Sequence, residues 1–71
     1  MTFDFRKLRG RIIEKYGTQD EFAKDYGISR VLLSKKMNNK CSFTSNDIIR
    51  MSEMLNIPKE EVGAYFFTEK V

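Results

Sequence analysis

Acid–base, nucleophilic and metal chemistry have little to work with in this sequence. There is no histidine and one cysteine, Cys41, so it offers no imidazole base, no Cys/His or Ser/His nucleophile pair and no ligand set for zinc. Nothing has the spacing of a glycine-rich nucleotide loop, so no cofactor and no enzymatic activity are expected. The adjacent Glu60 and Glu61 read as the solvated first turn of a helix, favourably placed near the positive end of its dipole, rather than as a catalytic pair. What the chain does offer is hydrogen-bond donors. In the run from Ser29 to Met37, Leu33 and Met37 share one face of a helix, whereas Arg30, Val31, Ser34 and Lys35 fall on other faces and can stay in solvent. The formal charge of +3 is unevenly spread: residues 1–40 hold ten Lys/Arg against five Asp/Glu, and residues 41–71 hold three against five. A basic half carrying this donor-rich helix fits a polyanion, because neutralised phosphates release counterions. A solvated basic surface is the plainer alternative.

The elements that must position these donors lie between residues 18 and 38. Thr18 with Glu21 three residues on has the pattern of a capping box, and Phe22, Ala23 and Tyr26 then recur at helical spacing. Gly27 stands where that helix should stop, since glycine tolerates a left-handed C-terminus, and Ile28 offers an apolar plug for the corner. Ser29 caps the next helix. Ala23 is small where two short helices cross steeply, so the backbones can approach.

With Gln19, Glu21, Ala23, Gly27, Ser29, Leu33 and Lys40 in this order, the chain resembles the Cro and repressor class of helix-turn-helix DNA-binding domains found in temperate phages and bacterial regulators. The resemblance implies an all-α, compact, five-helix lambda-repressor-like domain with the helix-turn-helix at helices two and three. It also implies roles. Arg30 would reach a guanine edge, Val31 a thymine methyl, and Ser34 or Lys35 a neighbouring base or phosphate, while Gln19, Ser29, Asn38 and Lys40 would hold the phosphate backbone. The chain departs from the class at two positions. Asn39 replaces a glycine common after the recognition helix, and asparagine is the next-best residue for positive φ. Lys36 stands where many relatives carry a buried aliphatic residue; Met37 is expected to take over that packing, with the Lys36 stem along the core edge and its charge in water.

The remaining chain supplies the rest of the domain. Asp4 is placed to cap a first helix whose Phe5, Leu8, Ile12 and Tyr16 form an apolar stripe; the interior Gly10, which costs roughly 1 kcal/mol against alanine, is expected to permit a close helix contact. Gly17 ends this helix. Phe43 is read as an anchor that folds its loop onto the core, and Thr44 with Asp47 repeats the capping box ahead of Ile48, Met51 and Leu55, with Met54 at the margin. Pro58 suits the first turn of a short fifth helix carrying Val62, Ala64, Tyr65 and Phe66. Cys41 reads as a small loop residue, with no partner for a disulfide in the chain.

Seventy-one residues fit one domain, near the size at which a single core is only just sufficient. No long apolar run suits a membrane span and no secretory pattern opens the chain, so a bacterial cytosolic, nucleoid-associated protein is expected. Two functions follow from the resemblance. The first is a Cro-like regulator that reads the major groove of a double-stranded operator as a homodimer, formed in solution or on DNA. The alternative is an antirepressor or modulator that keeps the fold and binds a phage repressor protein. Tyr65, Phe66 and Phe67 are consecutive and cannot all share one helical face, so this patch and the tail 66–71 are expected to meet a partner subunit or repressor, with Thr68 and Val71 favouring strand pairing between subunits.

Overall fold

Local side-chain chemistry places the helix boundaries. The structure is a computed structural model and describes residues 2–69. Its helices are α1 (Arg6–Tyr16), α2 (Gln19–Tyr26), α3 (Arg30–Met37), α4 (Ser45–Met54) and α5 (Val62–Phe66), the last preceded by one 3-10 turn at Lys59–Glu61. The hydroxyls of Thr18, Ser29 and Thr44 accept the backbone N–H of Glu21, Leu32 and Asp47 at 3.0–3.1 Å, satisfying donors that a helix N-terminus leaves orphaned. At Thr44 the box is reciprocal, since Asp47 accepts the Thr44 N–H at 2.9 Å. Asp4 acts differently from a simple cap: Phe5 occupies the N-cap position, and the Asp4 carboxylate accepts the Arg6 N–H at 3.0 Å from one residue further out. Gly27, at φ +94°, closes α2 by letting the Gly27 and Ile28 N–H groups both donate to Ala23 O.

The helices bury a continuous apolar core. Leu8 and Ile12 of α1 meet Phe22, Ala23 and Tyr26 of α2, Leu33 and Met37 of α3, Met51 and Leu55 around α4, and Tyr65 and Phe66 of α5. Each large side chain withdrawn from water contributes roughly 1.5–3 kcal/mol before the entropic cost of ordering it. The Cα radius of gyration, 11.1 Å, matches the about 11 Å of a well-packed chain of this length.

Three cations dock α4 onto the other helices. Arg11 donates to the terminal carbonyls of Leu55 at 2.8 Å and Asn56 at 3.1 Å. Arg50 donates to Tyr26 O at 2.9 Å and lies over the Tyr26 ring at 4.3 Å. Lys36 corrects the expectation from sequence. Its ammonium does not reach into water; it pairs with Asp47 at 2.8 Å, with the two side chains only 12% and 14% exposed, and also donates to Ser42 O. The reason is local: the capping box pins Asp47 above α3, so the carboxylate is nearer to the lysine stem's end than solvent is. Gly10 is corrected as well, because it is exposed and a Cβ there would meet nothing within 4 Å.

The chain ends meet. The extended Phe3 forms an isolated antiparallel bridge with Glu69, and the Asp4 N–H donates to Thr68 O at 2.7 Å. On its other edge, Phe3 donates its N–H to the Asn39 side-chain oxygen and accepts from the Asn39 amide, both at 2.9 Å. Asn39 also holds φ +63°, the conformation expected of it. The strand pairing anticipated around Thr68 therefore occurs within the chain, while Val71 lies outside the described residues. Asn39→Gly keeps the backbone accessible but removes the clamp. It should leave the Phe3 amide exchanging freely in hydrogen-exchange NMR while costing only about 1 kcal/mol of stability; a Phe3 amide as protected as in the wild type would refute the clamp.

Candidate functional site

The outer side of α3 and the loop after it carry the first candidate surface. Arg30, Val31, Ser34, Lys35, Asn38 and Lys40 line one shallow, open concavity of about 490 Å³, so all four expected base-facing residues and two of the expected phosphate-facing ones share a surface. Val31 is 65% exposed, and Leu32, which the spacing argument passed over, is 37% exposed beside it. Gln19 is half-buried at the start of α2, away from that concavity. Several donors are already engaged. The Asn38 amide donates to Ser34 O at 2.8 Å, whereas the Ser29 hydroxyl only accepts, from the Leu32 N–H, as it caps α3. Arg30 is held twice, by an ion pair from Nε to Asp20 at 3.2 Å and by a bond from Nη1 to the Ser34 hydroxyl at 2.6 Å. A guanidinium reads guanine through two donors of its fork; Nε and one Nη1–H of Arg30 face these partners, which leaves the Nη2 side for another acceptor. Asp20 was not singled out in the sequence; the available signal was an acid in the first turn of α2, the helix that lies across the backbone in DNA-bound helix-turn-helix proteins.

What holds α3 in place is the polar cluster beneath it. Burial disfavours a charged Asp47, but bonds from Lys36, Tyr26 and Thr44 outweigh this and hold its carboxyl well below the usual carboxylate range. Burial, followed by the hydrogen bond to Asp47, pushes the Tyr26 hydroxyl up to about 12. α3 is thus fixed to α4 by the charge-assisted Lys36–Asp47 bond, and Asp47 is fixed in turn to Tyr26 of α2, while Leu33 and Met37 pack into the core.

The second candidate surface is aromatic and lies at the chain ends. A cleft of about 310 Å³ opens among Phe3, Phe5, Phe43, Ile48, Phe66 and Phe67, with the half-buried Cys41 at its side. Its rings meet edge to face: Phe43 stands 5.1 Å from Phe5 and 5.4 Å from Phe66, and Phe3 stands 5.9 Å from Phe67, the geometry the ring quadrupoles favour. Of the three consecutive aromatics expected at an interface, only Phe67 is available. It is 53% exposed, whereas Tyr65 at 9% and Phe66 at 2% belong to the core. The cause is helical geometry, since α5 ends at Phe66 and both rings still fall on its inner side while Phe67 is the first residue beyond it. Phe3 joined the site unannounced. The alternation of Phe3 and Phe5 places both on one side of an extended segment, and that period-two pattern was the signal.

Residues 1–69 match a family model described as a protein of unknown function, DUF739. The chain belongs to the DUF739 family. No curated protein matches it. Among solved structures, this DUF739 chain is similar to the solution structure of the modulator of repression (MOR) of the temperate bacteriophage TP901-1 from Lactococcus lactis, with 35% identity, a TM-score of 0.83, and coverage of 100% of this chain and 96% of that one. The expected architecture, an all-α, compact domain of five helices, is the one found.

Proposed function

We propose that this DUF739 protein modulates repression in a temperate phage by binding a repressor protein, acting in the cytosol of the bacterial host. The observation that carries the reading is the 35% identity over the whole chain to a phage modulator of repression. Two features of the surface agree with a protein partner. The aromatic cleft presents an exposed Phe67 beside half-buried rings, the kind of anchor and pocket in which protein–protein binding energy concentrates. The α3 surface, in turn, sets the exposed Val31 and Leu32 beside Lys35 and Lys40, an apolar patch within a basic surround. Operator DNA is the first expectation from the sequence; the modulator alternative takes precedence because of the likeness to a phage modulator of repression along the whole chain.

Sedimentation of the protein with the repressor encoded by the same phage tests the proposal. A joint, faster-moving species is expected, and Phe67→Ser should weaken it at least about tenfold, a loss on the scale of an interface anchor. Failure of the wild type to associate with that repressor, together with a tight shift of operator DNA by the protein alone, would overturn the reading in favour of a Cro-like regulator. The homodimer expected from the sequence would use the same Phe67 surface, and sedimentation of the protein without repressor reports it directly.

A further inference from the structure

Asp20 sits where a helix-turn-helix protein would meet DNA. In that motif the first helix crosses the phosphate backbone while the second enters the major groove, and the first turn of α2 here carries Asp20 and Glu21. A phosphate approaching this turn faces like charge. Asp20 acts in a second way too, since its carboxylate engages Arg30 Nε at 3.2 Å, while the Ser34 hydroxyl takes Arg30 Nη1 at 2.6 Å. Arg30 is thereby drawn back against its own helix-turn-helix, with its charge offset and two of its donors used. The rest of the surface is unlike this acid. Lys35 and Lys40 line the same concavity as Arg30, and both are exposed. The chain therefore keeps exposed cations on α3 and in the loop after it, and ties one of them, Arg30, to a carboxylate of α2.

We propose that Asp20 is an internal stand-in for a DNA phosphate, which sets the partner class of the helix-turn-helix surface by holding back a capacity for duplex DNA that Arg30, Lys35 and Lys40 retain. The ion pair is surface-exposed, at 44% for Arg30 and 71% for Asp20, so it is weak and easily exchanged. That suits a stand-in: removing it costs the fold little and returns Arg30 to whatever anion arrives. The inference goes beyond repressor binding, and its test contains no repressor, so the two can fail separately.

The experiment is a titration of a short, mixed-sequence DNA duplex at several ionic strengths with the wild type, Asp20→Asn and Asp20→Asn/Arg30→Ala. Asp20→Asn keeps the side-chain shape and should bind about tenfold tighter than the wild type, with the slope of log affinity against log salt steeper by about one unit because one more counterion is released. The double variant should lose that gain. In parallel, the Arg30 Nε–H resonance should move on Asp20→Asn, reporting release of the guanidinium whether or not DNA is present. Equal duplex affinity for the wild type and Asp20→Asn, a gain that survives Arg30→Ala, or an unmoved Arg30 resonance would each overturn the proposal.

Discussion

Asp47→Ala should lower the melting temperature by about 10 °C or more, a destabilisation of about 2–4 kcal/mol in a domain of this size. One carboxylate serves three elements: it closes the capping box of α4 through the Thr44 N–H, receives the Tyr26 hydroxyl from α2, and neutralises Lys36 of α3. Its removal leaves a nearly buried ammonium with Ser42 O and the face of the Phe43 ring but no counter-charge, and an uncompensated charge in such a place is what makes the loss large. The effect depends on pH with a definite sign. The Asp47 carboxyl is held below its ordinary value of 3.8, so its contribution is fully present at neutral pH and is lost as acid carries the solution below about 4 and through the lower folded value. The Tyr26 hydroxyl is raised from 10.0 to about 12, so its share is present below pH 10 and is lost as pH rises through that interval. Thermal melts from neutral to acidic pH should show wild type and Asp47→Ala converging. Parallel curves down to strong acid would show that the carboxylate does not link the helices as described.

Phe66→Ala should cost about 3–5 kcal/mol and leave the protein largely unfolded at physiological temperature, since a small domain has only about 5–15 kcal/mol to lose. The Phe66 ring is 2% exposed and packs edge to face on Phe43, so truncation opens a cavity that a rigid helix end cannot close. Phe67→Ser, one residue on, should change stability by less than about 1 kcal/mol, because that ring is half in solvent. Far-UV circular dichroism melts of the two variants compare them directly. A Phe66→Ala protein that melts within a few degrees of the wild type would mean the ring is not part of the core.

These adjacent phenylalanines show what the sequence could and could not say. Three consecutive aromatics cannot share one helical face, and one was expected to leave it; which one left depended on α5 ending at Phe66, a boundary set by tertiary packing over the chain ends. Features governed by neighbours a few residues away were legible. The hydroxyl caps at Thr18, Ser29 and Thr44, the left-handed turn at Gly27, the positive φ of Asn39 and the stripe of Leu8 and Ile12 all follow from local chemistry. Features that join distant segments were not. The Lys36–Asp47 pair, the Arg30–Asp20 pair and the clamp on Phe3 arise only once α2, α3 and α4 are stacked, and no periodicity encodes them. Gly10 failed for a related reason, as its helical position was read correctly but the side of α1 that faces solvent was not.

The bridge from Phe3 to Glu69, steadied by the Asn39 clamp, brings the two ends of the described segment together. Phe3 is tied at once to the middle of the sequence and to residue 69, and the bridge to Glu69 closes a longer loop than the Arg11 bonds to Leu55 and Asn56, at a larger loop-closure entropy. The helices, built from near-neighbour contacts, can assemble without this bridge, and the joining of the two ends becomes the last and most readily reopened step of folding. Because Phe3 and Phe67 are carried on those ends, the aromatic cleft is completed only in that final step. A change at either Phe3 or Glu69 therefore acts on the same seam and reaches the cleft through it.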